Sequence, residues 1–364
     1  MKRTSAVGLT LGGAILAAIV ATQHLVLADD KMRPPATSRQ AALDNIARSV
    51  LLPAYSQLAA RSADFAAAAT ALTTTPSPET LANAQQAWKE MLLAWRRTQA
   101  FAHGPVSDLG VYGRIQFWPT RRQSVDRVLR APRPIDDAYV QELGAHAVGL
   151  SALEILLFDT RQDAAARLAA FSGPQGERQR KYFLALVQEL LRQTRQVESA
   201  WKGSRGFAAN FAGGGQDTLN LLVNDLLNAI EVGAQGRLLL AIDKRLEQHA
   251  RSELVEGGPS GTSQAGVLAL LAGARAVFAG ADGVGIDDYL QQLRPPVARR
   301  IDAQFQRAID AVKAIAGPLE DSADGVERAV RRAHDECRAL EIMMKTEVAS
   351  TLGVTLTFKS TDGD

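Results

Sequence analysis

Apolar residues recur at helical spacing along nearly the whole chain, and this limits the possible folds more than any other feature. In one stretch, five apolar residues fall at i, i+3, i+7, i+10 and i+14 on one helix face: Leu81, Ala84, Trp88, Met91 and Trp95. The same periodicity marks further segments at 136–158, 178–201, 217–246, 264–280, 286–316 and 322–350. Residues 354–358 alternate like a strand but are too short and isolated to define a sheet. The sequence therefore predicts an all-α protein.

Length and composition predict how these helices are divided. The chain has 364 residues, of which 46% are hydrophobic and 22% charged, and this composition excludes disordered and fibrous proteins. A chain of this length is expected to form two domains. The glycine-rich stretch 203–215 interrupts the helical pattern and is the predicted boundary. We therefore expect two consecutive helical bundles, at 40–202 and 216–364.

The N-terminus has the pattern of a secretory signal peptide. Lys2 and Arg3 precede an apolar run at 6–21, and Ala28 stands just before the first acidic residues. We expect cleavage after residue 28. An uncleaved anchor is the alternative, although the apolar run is short for a membrane span. Loss of Lys2 and Arg3 leaves 39 basic against 39 acidic residues, without the basic excess that a nucleic-acid binder carries.

A single carboxylate interrupts an apolar helix face between positions 150 and 158. Glu154 is the one charged residue among the positions i, i+3, i+4, i+7 and i+8 of that face. Burial of an ionised acid without a partner is costly or raises its pKa until it is neutral. An arginine, a bound cation or a ligand hydroxyl must therefore meet Glu154. Ser151 lies three residues earlier on the same face, so both side-chain oxygens are predicted to address one point.

The alternative for Glu154 is a structural ion pair that fixes two helices. Arg96, Arg97 and Arg114 are the candidate partners in the first half of the chain. Arg114 shares the irregular segment 102–120 with Trp118, and a loop of this length is usually functional or a local lid. We predict that Arg114 and Trp118 close over the site from this segment.

Two further polar groups are candidate ligand-binding residues. Asn220 and Asn224 recur one helical turn apart, and they are either exposed or line the ligand site. Thr262 and Ser263 follow a Gly-Gly-Pro-Ser-Gly run and precede a helix. Their hydroxyls are expected to cap that helix by accepting hydrogen bonds from its first turn. The alternative is that the free N–H groups of this first turn bind an anion or a ligand oxygen.

Five short motifs occur in a fixed order along residues 40–364. They are the aromatic stretch 88–105, the Arg-Ile-Gln-Phe-Trp-Pro run at 114–119, the segment 149–158, Glu253 with 260–263, and the C-terminal stretch 352–364. Together they resemble the imelysin-like family of bacterial secreted and periplasmic proteins. The resemblance implies two helical bundles with a functional cleft between them, a periplasmic location and a role associated with iron uptake.

The chain departs from the signature of that family at one position. The family is named for a peptidase, and its Gly-x-His-x-x-Glu signature resembles a metal-binding pair on one helix. Gly149 and Glu154 match this signature, but Ser151 stands where the family has histidine. A serine hydroxyl is a poor ligand for zinc or iron, and His146, five positions earlier, would face elsewhere. The departure argues against metallopeptidase activity.

These observations predict a non-catalytic periplasmic protein that binds a small ligand, iron or an iron-bearing molecule. Glu154 is the central acid and the candidate ligand for iron or another divalent or trivalent metal, and Ser151 supplies an accessory oxygen. The resemblance implies a component of an iron-transport system as partner. No nucleic acid, and no transmembrane segment after signal cleavage, is expected. The alternatives are a metal-dependent peptidase of the imelysin type and a structural or partner-binding periplasmic protein.

Overall fold

The computed structural model of the protein describes residues 38–174, 176–243, 254–321 and 323–357. The described residues cluster as one compact unit. The predicted signal peptide, Glu253 and the end of the chain from Phe358 lie outside the described residues.

The described residues are helical or irregular and contain no strand, which confirms the all-α prediction. The α-helices, numbered along the described residues, are α1 (Arg39–Asn45), α2 (Leu52–Thr74), α3 (Pro78–Thr98), α4 (Pro105–Asp108), α5 (Tyr112–Ile115), α6 (Arg122–Arg130), α7 (Asp137–Glu142), α8 (Gly149–Leu157), α9 (Ala164–Ala169), α10 (Glu177–Trp201), α11 (Phe207–Asn210), α12 (Gly215–Asn228), α13 (Gly236–Ala241), α14 (Ser263–Ala279), α15 (Ile286–Leu293), α16 (Pro295–Lys313), α17 (Asp324–Met343) and α18 (Ala349–Leu352). Wider π-helical turns continue α1, α12 and α17 at Ile46–Leu51, Ala229–Gln235 and Met344–Val348, and 3-10 turns lie at Ala145–Ala147 and Phe211–Gly214. None of these helices is long and apolar enough to cross a membrane.

Helix α3 illustrates how the sequence sets a helix and its buried face. The Ser77 side chain accepts a hydrogen bond from the Thr80 amide at 3.1 Å, and the Thr80 hydroxyl accepts one from the Ser77 amide at 2.9 Å. This capping box and Pro78 at the first helical position fix the start of the helix. The whole predicted apolar face, from Leu81 to Trp95, is buried. Helix α3 packs along α2 on one side and α14 on another.

The predicted continuous helix at 136–158 is wrong, because the chain breaks between α7 and α8. Gly149 has φ +74°, and a Cβ at this position would lie 2.4 Å from the Arg114 carbonyl oxygen and 2.5 Å from that of Ile115. A side chain is excluded at this distance, so glycine is what allows α8 to start directly against the backbone of α5. The break thereby brings the Glu154 helix beside the irregular segment.

Two hydrophobic clusters form the core. One draws residues from both ends of the chain, between Leu43 and Leu352, and the other lies within residues 229–337 and includes Cys337. The predicted domain boundary at 203–215 contains Phe211 and Ala212, which belong to the first cluster. The first cluster thus extends across the predicted boundary.

Helices from the two halves also approach closely. A Cβ at Gly273 in α14 would lie 2.3 Å from the Arg97 carbonyl oxygen at the end of α3. This glycine lets α14 pack directly on α3, and so places the start of α14 near the arginine-bearing end of α3.

Candidate functional site

Glu154 lies inside the protein, as its place in the apolar stripe of α8 predicts. Its side chain is buried, with the residue only 4% exposed. The carboxylate oxygen Oε1 accepts a hydrogen bond from the Ser260 hydroxyl at 2.6 Å and one from the Ser260 amide at 3.2 Å. The Ser260 hydroxyl also lies 2.8 Å from that of Thr262. The acid is therefore met by a hydroxyl loop that comes from the second half of the chain.

Burial changes the protonation of this acid. Burial is the largest cause and the nearby charge of Glu256 adds to it, so that the pKa of Glu154 is raised to about 7. The hydrogen bonds from Ser260 and the positive charge of Arg96 act in the opposite direction. The Glu154 carboxyl consequently gains and loses its proton close to neutral pH.

A second buried acid, Glu256, is held ionised by two arginines. Arg96 Nη2 lies 2.7 Å from Glu256 Oε1, and Arg237 Nε lies 2.6 Å from Oε2. Gln116 Nε2 donates a further hydrogen bond to Oε1 at 2.8 Å. Burial alone would raise the pKa of Glu256, but the charges of Arg96 and Arg237 hold it below its usual range. The environments of Glu154 and Glu256 thus push the pKa values of two neighbouring acids apart.

The arginine pair carries more positive charge than Glu256 neutralises. Arg96 is 2% exposed, and burial lowers its pKa, with the charge of Arg237 as the next cause. Arg96 Nη1 donates to Gln99 Oε1 at 3.0 Å, and Gln99 Nε2 donates to the Tyr112 hydroxyl at 2.9 Å. The network therefore runs from the buried ion pairs to an aromatic side chain at the surface.

An open cavity of about 490 Å³ lies over this network. Four of its lining residues are polar and buried: Arg96, Gln99, Gln116 and Glu256. We call these four the polar floor, and Arg237 lies beside them. Three exposed lining residues are largely apolar and form what we call the apolar rim: Tyr112, Phe117 and Val232. Glu154 is not part of the lining, but its carboxylate interacts electrostatically with two lining residues, Arg96 and Glu256.

The predicted site residues near Glu154 have different places in this arrangement. Trp118 lines the cavity. Thr262 belongs to the hydrogen-bonded network of Ser260, and its hydroxyl does not cap α14. Ser151 is buried, and its hydroxyl has no hydrogen-bond partner among the described residues. An unpaired buried hydroxyl therefore occupies the position of the signature histidine.

Arg114 and Ser263 are engaged elsewhere. Arg114 donates to the carbonyl oxygens of Leu143 and Val140, both at 3.1 Å, and these are carbonyls at the C-terminal end of α7. A cation at a helix C-terminus satisfies carbonyls that lack a partner in the helix. The prediction that Arg114 closes over Glu154 is therefore wrong, because its guanidinium group is bound to the C-terminal end of α7. The Ser263 hydroxyl donates to Glu320 Oε2 at 2.8 Å.

Asn220 and Asn224 bind the C-terminal segment of the protein itself. The Thr357 amide donates to Asn224 Oδ1 at 2.9 Å, Asn224 Nδ2 donates to the Thr355 carbonyl at 2.9 Å, and the Thr355 amide donates to Asn220 Oδ1 at 3.3 Å. The side-chain amides of both asparagines thus form hydrogen bonds with the backbone of residues 354–357, which has no neighbouring strand among the described residues. The structure therefore places both asparagines outside the cavity described here.

Sequence reasoning missed Glu256 and Arg237 as members of the site, and it considered Ser260 only as part of the run 260–263, without connecting it to Glu154. Ser260 and Glu256 lie in the same glycine-rich loop that directed attention to Thr262 and Ser263. Arg96 was one of three arginines considered for Glu154. No spacing rule connects Arg96 to a glutamate 160 positions further along, so the pair becomes visible only in the folded chain.

The described residues do not fit a directly bound metal ion. Within the part of the chain that the structure describes, no group of three or more His, Cys, Asp or Glu side chains could hold one. Glu154 Oε1 is already hydrogen-bonded, its raised pKa opposes metal ligation, and Arg96 adds repulsion for a cation. The prediction of Glu154 as a metal ligand is not supported by this chemistry.

Comparison with known proteins places the chain among relatives of similar architecture. The iron-regulated protein A of Synechococcus elongatus is 24% identical over 283 residues, which cover 74% of each chain. A structure described as an iron-regulated protein A precursor from Parabacteroides distasonis superposes with a TM-score of 0.71 at 16% identity, covering 88% of this chain and 96% of that one. An imelysin-like protein from Psychrobacter arcticum gives a TM-score of 0.70 at 18% identity, covering 88% and 97%. These two structures share the fold.

The family is established by the sequence itself. The family model Imelysin (Peptidase_M75) matches residues 51–341, which include Gly149, Glu154, Glu256 and the whole cavity lining. This match extends over most of the chain and over residues from both of its halves. The chain belongs to the imelysin family.

Proposed function

We propose that this protein is a periplasmic ligand-binding member of the imelysin family that serves iron acquisition without catalysis. Its ligand is a small polar molecule, including an iron chelate, that binds in the cavity above the polar floor. The observation that carries the proposal is the buried ion-pair network of Arg96, Glu256 and Arg237 beneath an open cavity.

The energetics of this network support a binding role. A buried ion pair often stabilises a fold no more than well-packed apolar side chains of similar volume would, so stability alone gives no reason for this network. A cavity of about 490 Å³ is within the range of small-molecule sites, which combine apolar walls with a few polar groups. The polar floor and the apolar rim supply both.

Iron enters the proposal through the relatives, one of which is named iron-regulated protein A. Arginines and amides bind the carboxylate and hydroxyl groups of an organic chelator better than they bind a bare cation. We therefore propose that iron, when carried, reaches the cavity already held by a chelator. Glu154 and Ser260 form a layer behind the polar floor that holds the floor in place.

The test is isothermal titration of the wild type with ferric citrate, citrate, Fe(II), Zn(II) and Ca(II). We expect ferric citrate or citrate to bind and the bare ions to give no saturable heat. In Arg237→Gln, which removes the positive charge beside the polar floor, we expect the affinity to fall about tenfold, because charge-assisted contacts to carboxylates are among the strong hydrogen bonds. Arg299→Gln is the matched control, since Arg299 is exposed and does not line the cavity.

Two results would contradict the proposal. Saturable binding of bare Fe(II) or Zn(II) that Glu154→Gln abolishes would make Glu154 a metal ligand. The absence of binding by both citrate forms would remove the cavity as a chelate site. Ser151→His restores the signature residue, and no metal binding is expected from it, because Arg96 and Arg237 already pair with Glu256, the nearby acid, and the described residues contain no cluster of three metal-ligating side chains.

A further inference from the structure

The distribution of polar and apolar residues in the cavity is the reverse of the usual one. Charged and amide side chains occupy the buried floor, where Arg96 is 2% exposed, whereas Val232 is 60% and Phe117 37% exposed at the rim. Folded chains usually keep apolar side chains inside and charged ones outside. A ligand that covers both zones must therefore present its polar end inward and its apolar body outward.

The charge of the polar end follows from the ion pairs. Arg96 and Arg237 bring two positive charges, and Glu256 supplies one negative charge between them. With Glu154 protonated, the ion pairs among the described residues leave one positive charge of this arginine pair without an acidic partner. A ligand carboxylate or phenolate beside Arg237 would neutralise it, and guanidinium groups bind planar anions through paired hydrogen bonds.

The walls indicate the shape of the apolar body. Tyr112 is fixed in position, since its hydroxyl accepts from Gln99 and its ring lies 5.1 Å from that of Trp95. Phe117 is held against His146, with ring centroids 4.7 Å apart. Trp118 adds a third aromatic residue to the lining. Preset aromatic faces favour a flat ring that can stack on them or meet them edge to face.

We infer that the cavity selects aromatic organic anions, with the anionic group on the polar floor beside Arg237 and the ring between Tyr112, Phe117 and Trp118. This inference rests on the proposed function and specifies its ligand class. An aromatic chelator of iron with an acidic group belongs to this class, and so does a simple aromatic carboxylate.

The experiment compares three probes by titration of the wild type: 2-naphthoate, which has ring and anion, 2-naphthylmethanol, which has the ring alone, and acetate, which has the anion alone. We expect 2-naphthoate to bind at least about tenfold more tightly than either partial probe. For 2-naphthoate, Arg237→Gln is expected to weaken binding about tenfold, and Arg237→Lys, which keeps the charge, to recover part of that loss. Phe117→Ala is expected to weaken it several-fold, while Leu293→Ala, at an exposed apolar residue outside the cavity, leaves it unchanged.

Each contrary result overturns a stated part of the inference. Equal affinities for 2-naphthoate and acetate would exclude a role of the apolar rim in binding. Equal affinities for 2-naphthoate and 2-naphthylmethanol would exclude a role of the ligand's negative charge. No binding of 2-naphthoate together with binding of ferric citrate would overturn the ligand class and leave the proposed function intact. If Phe117→Ala instead dissociates a dimer seen by sedimentation, the rim is a contact between copies of the chain and the inference fails.

Discussion

At the scale of single residues, Glu154 shows what sequence patterns can and cannot predict. Its position in an apolar stripe predicts a buried acid, and the structure finds it buried. Its partner was not predictable, because Ser260 lies 106 positions away and loop hydroxyls have no periodicity. Arg114 was expected to approach the site from its position in the irregular segment, but the unpaired carbonyls at the end of α7 bind it instead.

The protonation of Glu154 makes the stability of the protein depend on pH. The folded pKa of about 7 lies above the ordinary value of 4.5, so the folded state binds this proton more tightly than the unfolded chain. The stabilisation is complete below about pH 4.5 and is lost as pH rises through about 7. Relative to Glu154→Gln, the free energy of unfolding of the wild type should fall on the order of 3 kcal/mol between pH 4.5 and 8, since one pKa unit is about 1.36 kcal/mol.

Urea unfolding at a series of pH values measures this difference. Glu79→Gln is the control, because Glu79 is exposed at the start of α3. This variant removes an exposed carboxylate and serves as the reference over the same pH series. If the Glu154→Gln difference changes with pH no more than the Glu79→Gln difference does, the acid does not titrate as its burial requires.

At the scale of helices, the long regular elements were predictable and their interruptions were not. Helix α10 matches its predicted span of 178–201 to within one residue, and α3 contains the whole predicted apolar face, since amphipathic periodicity over many turns sets both helices. The single predicted helix at 136–158 fails at Gly149, because a contact with the α5 backbone sets the start of α8. Such a contact between separate helices cannot be predicted from the periodicity of apolar residues in one segment.

The close contact at Gly149 can be tested against a matched glycine. Gly149→Ala combines positive-φ strain with a clash against two carbonyl oxygens, and we expect it to lower the free energy of unfolding by about 4 kcal/mol or prevent folding. Gly110 also has positive φ, +64°, but a Cβ there would have no heavy atom within 4 Å. Gly110→Ala should therefore cost only about 1–2 kcal/mol. Similar losses in denaturant unfolding would show that backbone strain alone explains the effect at Gly149.

At the scale of the whole molecule, the site joins residues from distant parts of the chain. The loop that carries Glu256 and Ser260 contacts Arg96 in α3 and Glu154 in α8. Arg237 completes the network from α13, beyond the predicted boundary at 203–215. The all-α fold could be predicted from helical periodicity, and the buried Glu154 from the apolar face between positions 150 and 158. The cavity could not be predicted, because it exists only where these separate segments meet.

The central claim is that Glu154 and Ser260 support the same polar site that binds a ligand anion in the cavity. Protonation of Glu154 removes a negative charge behind Arg96 and Glu256, so the floor should bind an anion more strongly as pH falls through about 7. The most direct measurement is the dissociation constant of 2-naphthoate at pH 6 and pH 8 in the wild type and in Glu154→Gln. The account predicts binding roughly tenfold tighter at pH 6 in the wild type, and similar, tight binding at both pH values in the variant. Equal pH dependence in the two proteins would assign the effect to a group other than Glu154 and would contradict the claim.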